Sequence, residues 1–279
     1  MTVGERRCAV LGAPIRHSLS PVLHRAAYVE LGLDWSYEAH EVVEADLPRF
    51  LDALDHTWRG LSLTMPLKRT VVPLLDELSD RATQAQAVNT VVLDGGRRIG
   101  HNTDVAGAAT AVRERYDGPV DRAVVLGGGA TAASVTLALA DLGCRHVTLL
   151  VREESRAAQT VATAGRHPVP PQVEVRRIGS TPVAAEIVVS TVPATAQTPE
   201  VLAAVDEVPV VFEVLYDPWP TPLAAEATRT GRVLVTGLDL LVHQAVLQVE
   251  LMTGVARAPL EAMRRAGGAA LAARAPRSG

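Results

Sequence analysis

The chain has 279 residues, 48% of them hydrophobic and 21% charged, which suits two globular domains and excludes a largely disordered polymer. No uninterrupted apolar run approaches the roughly 18–20 residues that span a bilayer, and the apolar stretch near the N-terminus is too short for a secretory signal. A formal net charge of −4 offers no electrostatic footprint for nucleic acid.

Strand-like runs are expected at Arg7–Leu11, Trp35–Val42, Gly60–Leu63 and Asn89–Leu93, with helices near Val22–Leu31, Leu47–Leu54 and Val71–Leu78. That alternation predicts an α/β layer architecture. A seam falls near His101–Tyr116, where a polar His-Asn-Thr-Asp loop opens a helix that Asp117-Gly118-Pro119 stops. Short Val-rich strands follow at Arg122–Leu126, Val147–Val151, Val173–Arg176, Ile187–Ser190, Val208–Val214 and Val233–Val235. They show little apolar/polar alternation, the mark of a parallel sheet buried on both faces. Two closing helices, Leu238–Thr253 and Pro259–Ala273, complete the series. Cys8 and Cys144 lie far apart, so neither a disulfide framework nor a metal site is expected, and a reducing cytoplasm is the expected location.

Between the first strand of the second series and its helix stands Gly127-Gly128-Gly129-Ala130-Thr131-Ala132, a GxGxxA spacing. Gly127 permits a tight turn, Gly129 lets backbone approach a pyrophosphate, and Ala132 keeps helix and strand close, while the helix N-terminus offers N–H groups to phosphates. The strand–turn–helix–strand context predicts a dinucleotide site. At the tip of the next strand, where an NAD enzyme carries a ribose-binding carboxylate, Arg152 and Arg156 could instead pair with the 2′-phosphate of NADP. Glu153 and Glu154 sit close by and weigh against it.

Of 27 basic residues, only Lys68 is a lysine. A position that stays lysine among arginines invites a role in proton exchange, which guanidinium cannot perform; chance survival is the plain alternative. Ser18 and Ser20 flank a helix start, where two hydroxyls suit a carboxylate ligand. Ser20 with Pro21 also fits an N-cap and first-turn pair.

The segments GAPIRHSLSP (Gly12 to Pro21), TMPLK (Thr64 to Lys68), AVNT (Ala87 to Thr90), GHNTDVAG (Gly100 to Gly107) and the glycine loop follow one another as in the shikimate dehydrogenase family, which the chain resembles over essentially its whole length. YDPWPTPL from Tyr216 and GLDLLVHQ from Gly237 to Gln244 are similar to that family's later signatures. The resemblance implies a two-lobe α/β fold: an N-terminal substrate-binding domain over 1–105, completed by helices within 238–279, and a Rossmann-type parallel-sheet NADP-binding domain over 106–237. It implies reversible NADPH-dependent reduction of 3-dehydroshikimate to shikimate, in a cleft between the lobes. Ser18 and Ser20 would then hold the substrate carboxylate, and Thr64, Asn89, Asp104 and Gln244 the ring hydroxyls. Lys68 and Asp104 would serve the reacting oxygen as acid/base pair, Tyr216 would complete the pocket, and Gly237 would lie beside the nicotinamide. The partner is a small molecule, with no nucleic acid or membrane, and a homodimer is one option.

The chain departs from that pattern at Ser62, where the family often has Asn, and a contact there is expected to be shorter or bridged by water. It departs again at Val151-Arg152-Glu153, where Asn-Arg-Thr is usual, and after Ile187, where Val-Val-Ser-Thr-Val-Pro replaces an Asn-Ala-Thr pattern. Plainer readings stand beside the functional ones. Asp104 could cap a helix, Asn89 and Asn102 could be turn residues, and Gln244 could be a solvated helix residue. His17 reads as a loop histidine, Met65 and Trp58 as core or pocket wall, and Cys8 as an inert buried thiol. Rival functions are an NAD-dependent quinate/shikimate or aminoshikimate dehydrogenase and a non-catalytic dinucleotide or shikimate sensor.

Overall fold

In the computed structural model, which describes residues 6–178 and 183–274, strand β1 (Arg6–Gly12) is buried along its last five residues. That burial marks a central strand covered on both faces. It pairs in parallel with β2 (Trp35–Glu41) on one side and β3 (Trp58–Leu63) on the other. After the two-residue β4 (Glu77–Leu78), β5 (Thr90–Asp94) runs antiparallel to β3, and β6 (Arg97–His101) antiparallel to β5. The sheet order is β2-β1-β3-β5-β6-β4. Ala9, Leu11, Leu47, Leu61, Leu67 and Val91 pack together in its core, each large side chain contributing about 1.5–3 kcal/mol by burial.

The second sheet is wholly parallel. It comprises β7 (Arg122–Leu126), β8 (His146–Val151), β9 (Gln172–Arg177), β10 (Ile187–Ser190), β11 (Val210–Glu213) and β12 (Val233–Val235). Their order is β12-β11-β10-β7-β8-β9. Connections reverse direction between β7 and β10, so the carboxyl ends of these two strands form the switch point at which doubly wound sheets bind ligands. Val124, Leu126, Val188 and Val211 are fully buried there, which accounts for the unbroken apolar runs in the sequence.

The chain divides into two compact units, one running through Thr103 and resuming at Leu241, the other spanning Asp104–Leu240. The helix Gly237–Thr253 starts in the second and continues in the first. The helix Leu260–Arg274 packs on the helix Ser20–Glu30.

Two expectations are corrected and one strand is added. Val71–Leu78 is not a helix: a 3-10 turn at Val72–Leu74 and the strand β4 replace it, because Pro73 lacks an N–H and disrupts a helix interior. Strand β6 went unread, although Gly95-Gly96, with φ of 56° and 80°, forms the two-residue left-handed turn that joins a hairpin. Ser20 is not an N-cap: Leu19 holds that place with no side-chain hydrogen bond, and Ser20 is the first helical residue.

Candidate active site

In the first unit, the functional segments are stitched together by backbone. Thr64 N–H donates to the Leu11 carbonyl at 2.9 Å, and Ala13 N–H to the Met65 carbonyl at 3.0 Å. Gly12 makes this approach feasible, since a Cβ there would strike the Thr64 methyl and come within 2.9 Å of the Met65 carbonyl oxygen. Lys68 is half-buried on the short helix Leu67–Thr70. Its carbonyl accepts from Val88 N–H at 2.7 Å, and the Asn89 carbonyl accepts from Leu63 N–H at 2.8 Å. The sole lysine and the Ala-Val-Asn-Thr segment are therefore adjacent.

Asn89, 1% exposed, is the centre of a polar cluster. Its Nδ2 donates to Thr103 Oγ1 at 2.9 Å and to Gln244 Oε1 at 3.3 Å, while its Oδ1 accepts from Thr103 N–H and from Thr90 Oγ1, both at 2.8 Å. Gln244 is buried and donates to the Leu241 carbonyl, so it is no solvated helix residue. Asn102 is also interior and donates to the Ala87 carbonyl at 2.9 Å.

A second set of residues continues this cluster; Ser62 stood out in the sequence as a departure from the family pattern, whereas Tyr37 and Gln248 were missed. Tyr37 donates its hydroxyl to Ser62 Oγ at 2.6 Å, and Ser62 donates to Gln248 Oε1 at 2.9 Å. Gln248 Nε2 in turn donates to Thr90 Oγ1 at 3.0 Å and to the Asn89 carbonyl. The available signal was Gln244 and Gln248 four residues apart on the helix Gly237–Thr253, which places both on one face. Ser20, buried, also hydrogen-bonds the Tyr37 side chain. Ser18 Oγ accepts from Ser20 N–H at 3.3 Å. Met65, expected in core or pocket wall, is 65% exposed: it occupies the turn that the Thr64-Met65 carbonyls anchor, outside the strand. Trp58 is buried in the core, and His17 is exposed.

In the second unit, Asp104 is 7% exposed and opens the helix Asp104–Arg115. Gly127 has φ of 110°, open to glycine and strained for other residues, and a Cβ there would lie 2.5 Å from Thr191 Oγ1. At Gly128 a Cβ would meet the Arg156 carbonyl at 2.8 Å. Gly129 differs: it caps the helix Ala130–Asp141, and a Cβ there would meet no atom of the chain within 4 Å. The fold itself requires glycine at 127 and 128, whereas no contact within the chain calls for it at 129. Ala130, Thr131 and the buried Ala132 form the first helical turn, where backbone N–H groups have no partner within the helix and could meet a dinucleotide pyrophosphate. Arg152 and Arg156, both exposed, follow the carboxyl end of β8.

Tyr216 lies in the loop after β11. Gly237 packs against the backbone of that loop, since a Cβ there would come within 2.5 Å of the Leu215 carbonyl oxygen. The loop is anchored by Glu213, a buried carboxylate not foreseen from the sequence. Its Oε1 accepts from Leu215 N–H at 3.0 Å, and its Oε2 from Gln197 Nε2 at 2.6 Å and Thr221 Oγ1 at 2.8 Å. Burial pushes this carboxyl up, against the opposing effect of those donors. The Cys8 thiol is pushed up to about 11 by burial, and an inert role follows. Among the described residues, no group of His, Cys, Asp and Glu is arranged to hold a metal ion, and no helix is long and apolar enough to cross a membrane.

A 3-2-1-4-5-6 parallel sheet with a glycine loop at its switch point, joined to a second α/β unit with an interior polar cluster, defines an oxidoreductase of the nicotinamide-dinucleotide class. A family model described as the shikimate dehydrogenase substrate binding domain matches residues 10–91, and one described as the shikimate 5′-dehydrogenase C-terminal domain matches residues 237–266. A shikimate dehydrogenase (NADP(+)) of Desulfitobacterium hafniense is 35% identical over 263 residues, which cover 92% of this chain and 96% of the relative. The crystal structure of the Mycobacterium tuberculosis shikimate dehydrogenase matches with a TM-score of 0.86 at 38% identity, covering 95% of this chain and 99% of that one. The Thermus thermophilus enzyme, solved in complex with NADP(H) and shikimate, matches with a TM-score of 0.79 at 31% identity, covering 95% and 99%. The chain belongs to the shikimate dehydrogenase family.

Proposed function

We propose that the chain is an NADP-dependent shikimate dehydrogenase, reducing 3-dehydroshikimate reversibly to shikimate. The observation that carries this reading is the buried cluster of Asn89, Thr103 and Gln244 within hydrogen-bonding distance of one another, next in the fold to the segment bearing the sole lysine. A polyhydroxylated ring is what such paired amide and hydroxyl groups recognise. A bound nicotinamide would supply hydride to the carbonyl carbon. Lys68 then delivers the proton to the oxygen and stabilises the developing alkoxide, which accounts for lysine where arginine serves everywhere else. Asp104 accepts from the substrate hydroxyl, while Ser18 and Ser20 take the carboxylate and Thr64, Asn89 and Gln244 the remaining hydroxyls. Tyr216 closes the pocket, and Gly237 lies beside the nicotinamide ring. Arg152 and Arg156 provide the 2′-phosphate partners. The same reading places the enzyme in a reducing compartment, in keeping with Cys8 and Cys144 as buried free thiols.

The test is absorbance at 340 nm with shikimate and either NADP or NAD. Shikimate-dependent reduction, faster with NADP, is expected; reduction with quinate alone would point to the sister activity, and binding without turnover to a sensor. Lys68→Ala should lower kcat by roughly 10²–10⁴-fold with little change in Tm. Turnover equal to wild type would overturn the assignment of Lys68.

A further inference from the structure

Asp239 is an interior charged side chain that the catalysis proposed above leaves without a role. It is 4% exposed and stands in the first turn of the helix Gly237–Thr253. Its Oδ2 accepts from Thr236 N–H at 2.9 Å and from Thr236 Oγ1 at 2.8 Å, while its own N–H donates to Thr236 Oγ1 at 3.2 Å. The two residues thus cap each other, and Thr236 alone separates the end of β12 at Val235 from the helix. The other carboxylate oxygen, Oδ1, accepts from Arg115 Nη2 at 2.8 Å. Arg115 is the last residue of the helix that Asp104 opens, so the ion pair joins the negative end of one helix to the positive end of another. Burial pushes the Asp239 carboxyl up, but the Arg115 and Thr236 donors outweigh it and hold the group below its ordinary value.

What this carboxylate fixes is the turn at Gly237. A Cβ there would strike the Val214 carbonyl oxygen and come within 2.5 Å of that of Leu215, so the turn is pressed onto the backbone that leads into Tyr216. We propose that Asp239 is a positioning residue for hydride transfer: it locks the Gly237 turn against the Tyr216 loop and ties that turn to the Asp104 helix. The role rests on the reading above, in which Gly237 lies beside the nicotinamide and Asp104 serves the reacting oxygen. Asp239 acts through this backbone rather than on a ligand. Reacting geometry is steep enough that a displacement of about 1 Å costs on the order of 100-fold in rate, so a side chain that fixes both elements governs turnover more than binding.

Asp239→Asn keeps the shape of the side chain and removes the charge that holds Arg115. Calorimetric titration of the variant with 2′,5′-ADP should match wild type, because that half of the dinucleotide is assigned to the glycine loop. With NADPH and 3-dehydroshikimate, kcat should fall by about 10–100-fold, with KM for 3-dehydroshikimate within about twofold of wild type. Shikimate deuterated at the carbon that is oxidised should slow the variant more than wild type, since hydride transfer then limits turnover. Arg115 is half-exposed, so Arg115→Gln is expected to fold whatever Asp239→Asn does, and it should show the same pattern with a smaller fall in kcat. An unchanged kcat and isotope effect in a folded variant would overturn the role. So would a parallel loss of 2′,5′-ADP binding, which would make Asp239 a support of the whole unit. Wild type without turnover would overturn the catalytic reading itself, and this role with it.

Discussion

Thr221 illustrates how one side chain can serve a loop and a helix together. Its Oγ1 accepts from Ala224 N–H at 3.3 Å, capping the helix Pro222–Thr230, and donates to Glu213 at 2.8 Å. Thr221→Val keeps the shape and loses both bonds. It should cost roughly 1–2 kcal/mol in urea unfolding, and a loss within a few tenths would show that the loop is held elsewhere. A threonine directly before Pro222 carries the local signal of a helix cap. Its second bond carries no such signal, because nothing in the local pattern says that Glu213, at the end of an apolar strand, turns its carboxylate back into the same loop. Asn89 follows the same logic. Its place before a strand suggested a turn residue, and its side chain bonds Thr103 and Gln244, from two other segments, besides its neighbour Thr90.

At the scale of elements, the glycine loop separates what the fold requires from what a ligand requires. Gly127→Ala must place a Cβ at positive φ against Thr191, and should cost roughly 1–3 kcal/mol, seen as a lower Tm, together with loss of ADP binding. Gly129→Ala meets no atom of the chain; its Tm should hold while ADP binding weakens by about tenfold, as backbone approach to the phosphates is blocked. Equal Tm losses in both would overturn this division. The parallel sheet was legible because strands buried on both faces leave an unmistakable apolar run. The segment 71–101 was read poorly for an equally physical reason. Its elements are short, and apolar spacing over seven or eight residues cannot separate a helix from a turn and strand; Pro73 and Gly95-Gly96 carried the information that spacing lacked.

At the scale of the molecule, stability should depend on pH through His24. This imidazole is wholly buried, stacks on Tyr37 at 3.9 Å, and bonds the Ser20 carbonyl through Nδ1 at 2.9 Å. Burial pushes it down from 6.5 to about 4. Because the folded value lies below the unfolded one, the neutral ring contributes stability that is full above pH 6.5 and lost as pH falls towards 4. The loss amounts to about 3 kcal/mol. Tyr28 and Tyr37, whose rings pack on it, are both pushed up by burial and do not titrate in that window. Urea unfolding at pH 7, 5.5 and 4.5 should show the slope, and His24→Phe should flatten it; an equal slope in the variant would assign the dependence to other groups.

The sequence alone determined the layer architecture, the parallel sheet, the glycine loop and the candidate residues Ser18, Lys68, Asn89, Asp104, Tyr216 and Gln244. The architecture, the sheet and the loop follow from local periodicity and backbone conformation, Lys68 from its scarcity and Ser18 from its place at a helix start. Asn89, Asp104, Tyr216 and Gln244 were singled out by the resemblance of their segments to the family's motifs. Only the tertiary structure decided that Ser62 and Gln248, 186 positions apart, share a hydrogen bond, and that Tyr37 joins them. Hydrogen bonds and ion pairs act over a few ångströms, and which groups come that close is settled by how helices and strands pack rather than by their order along the chain.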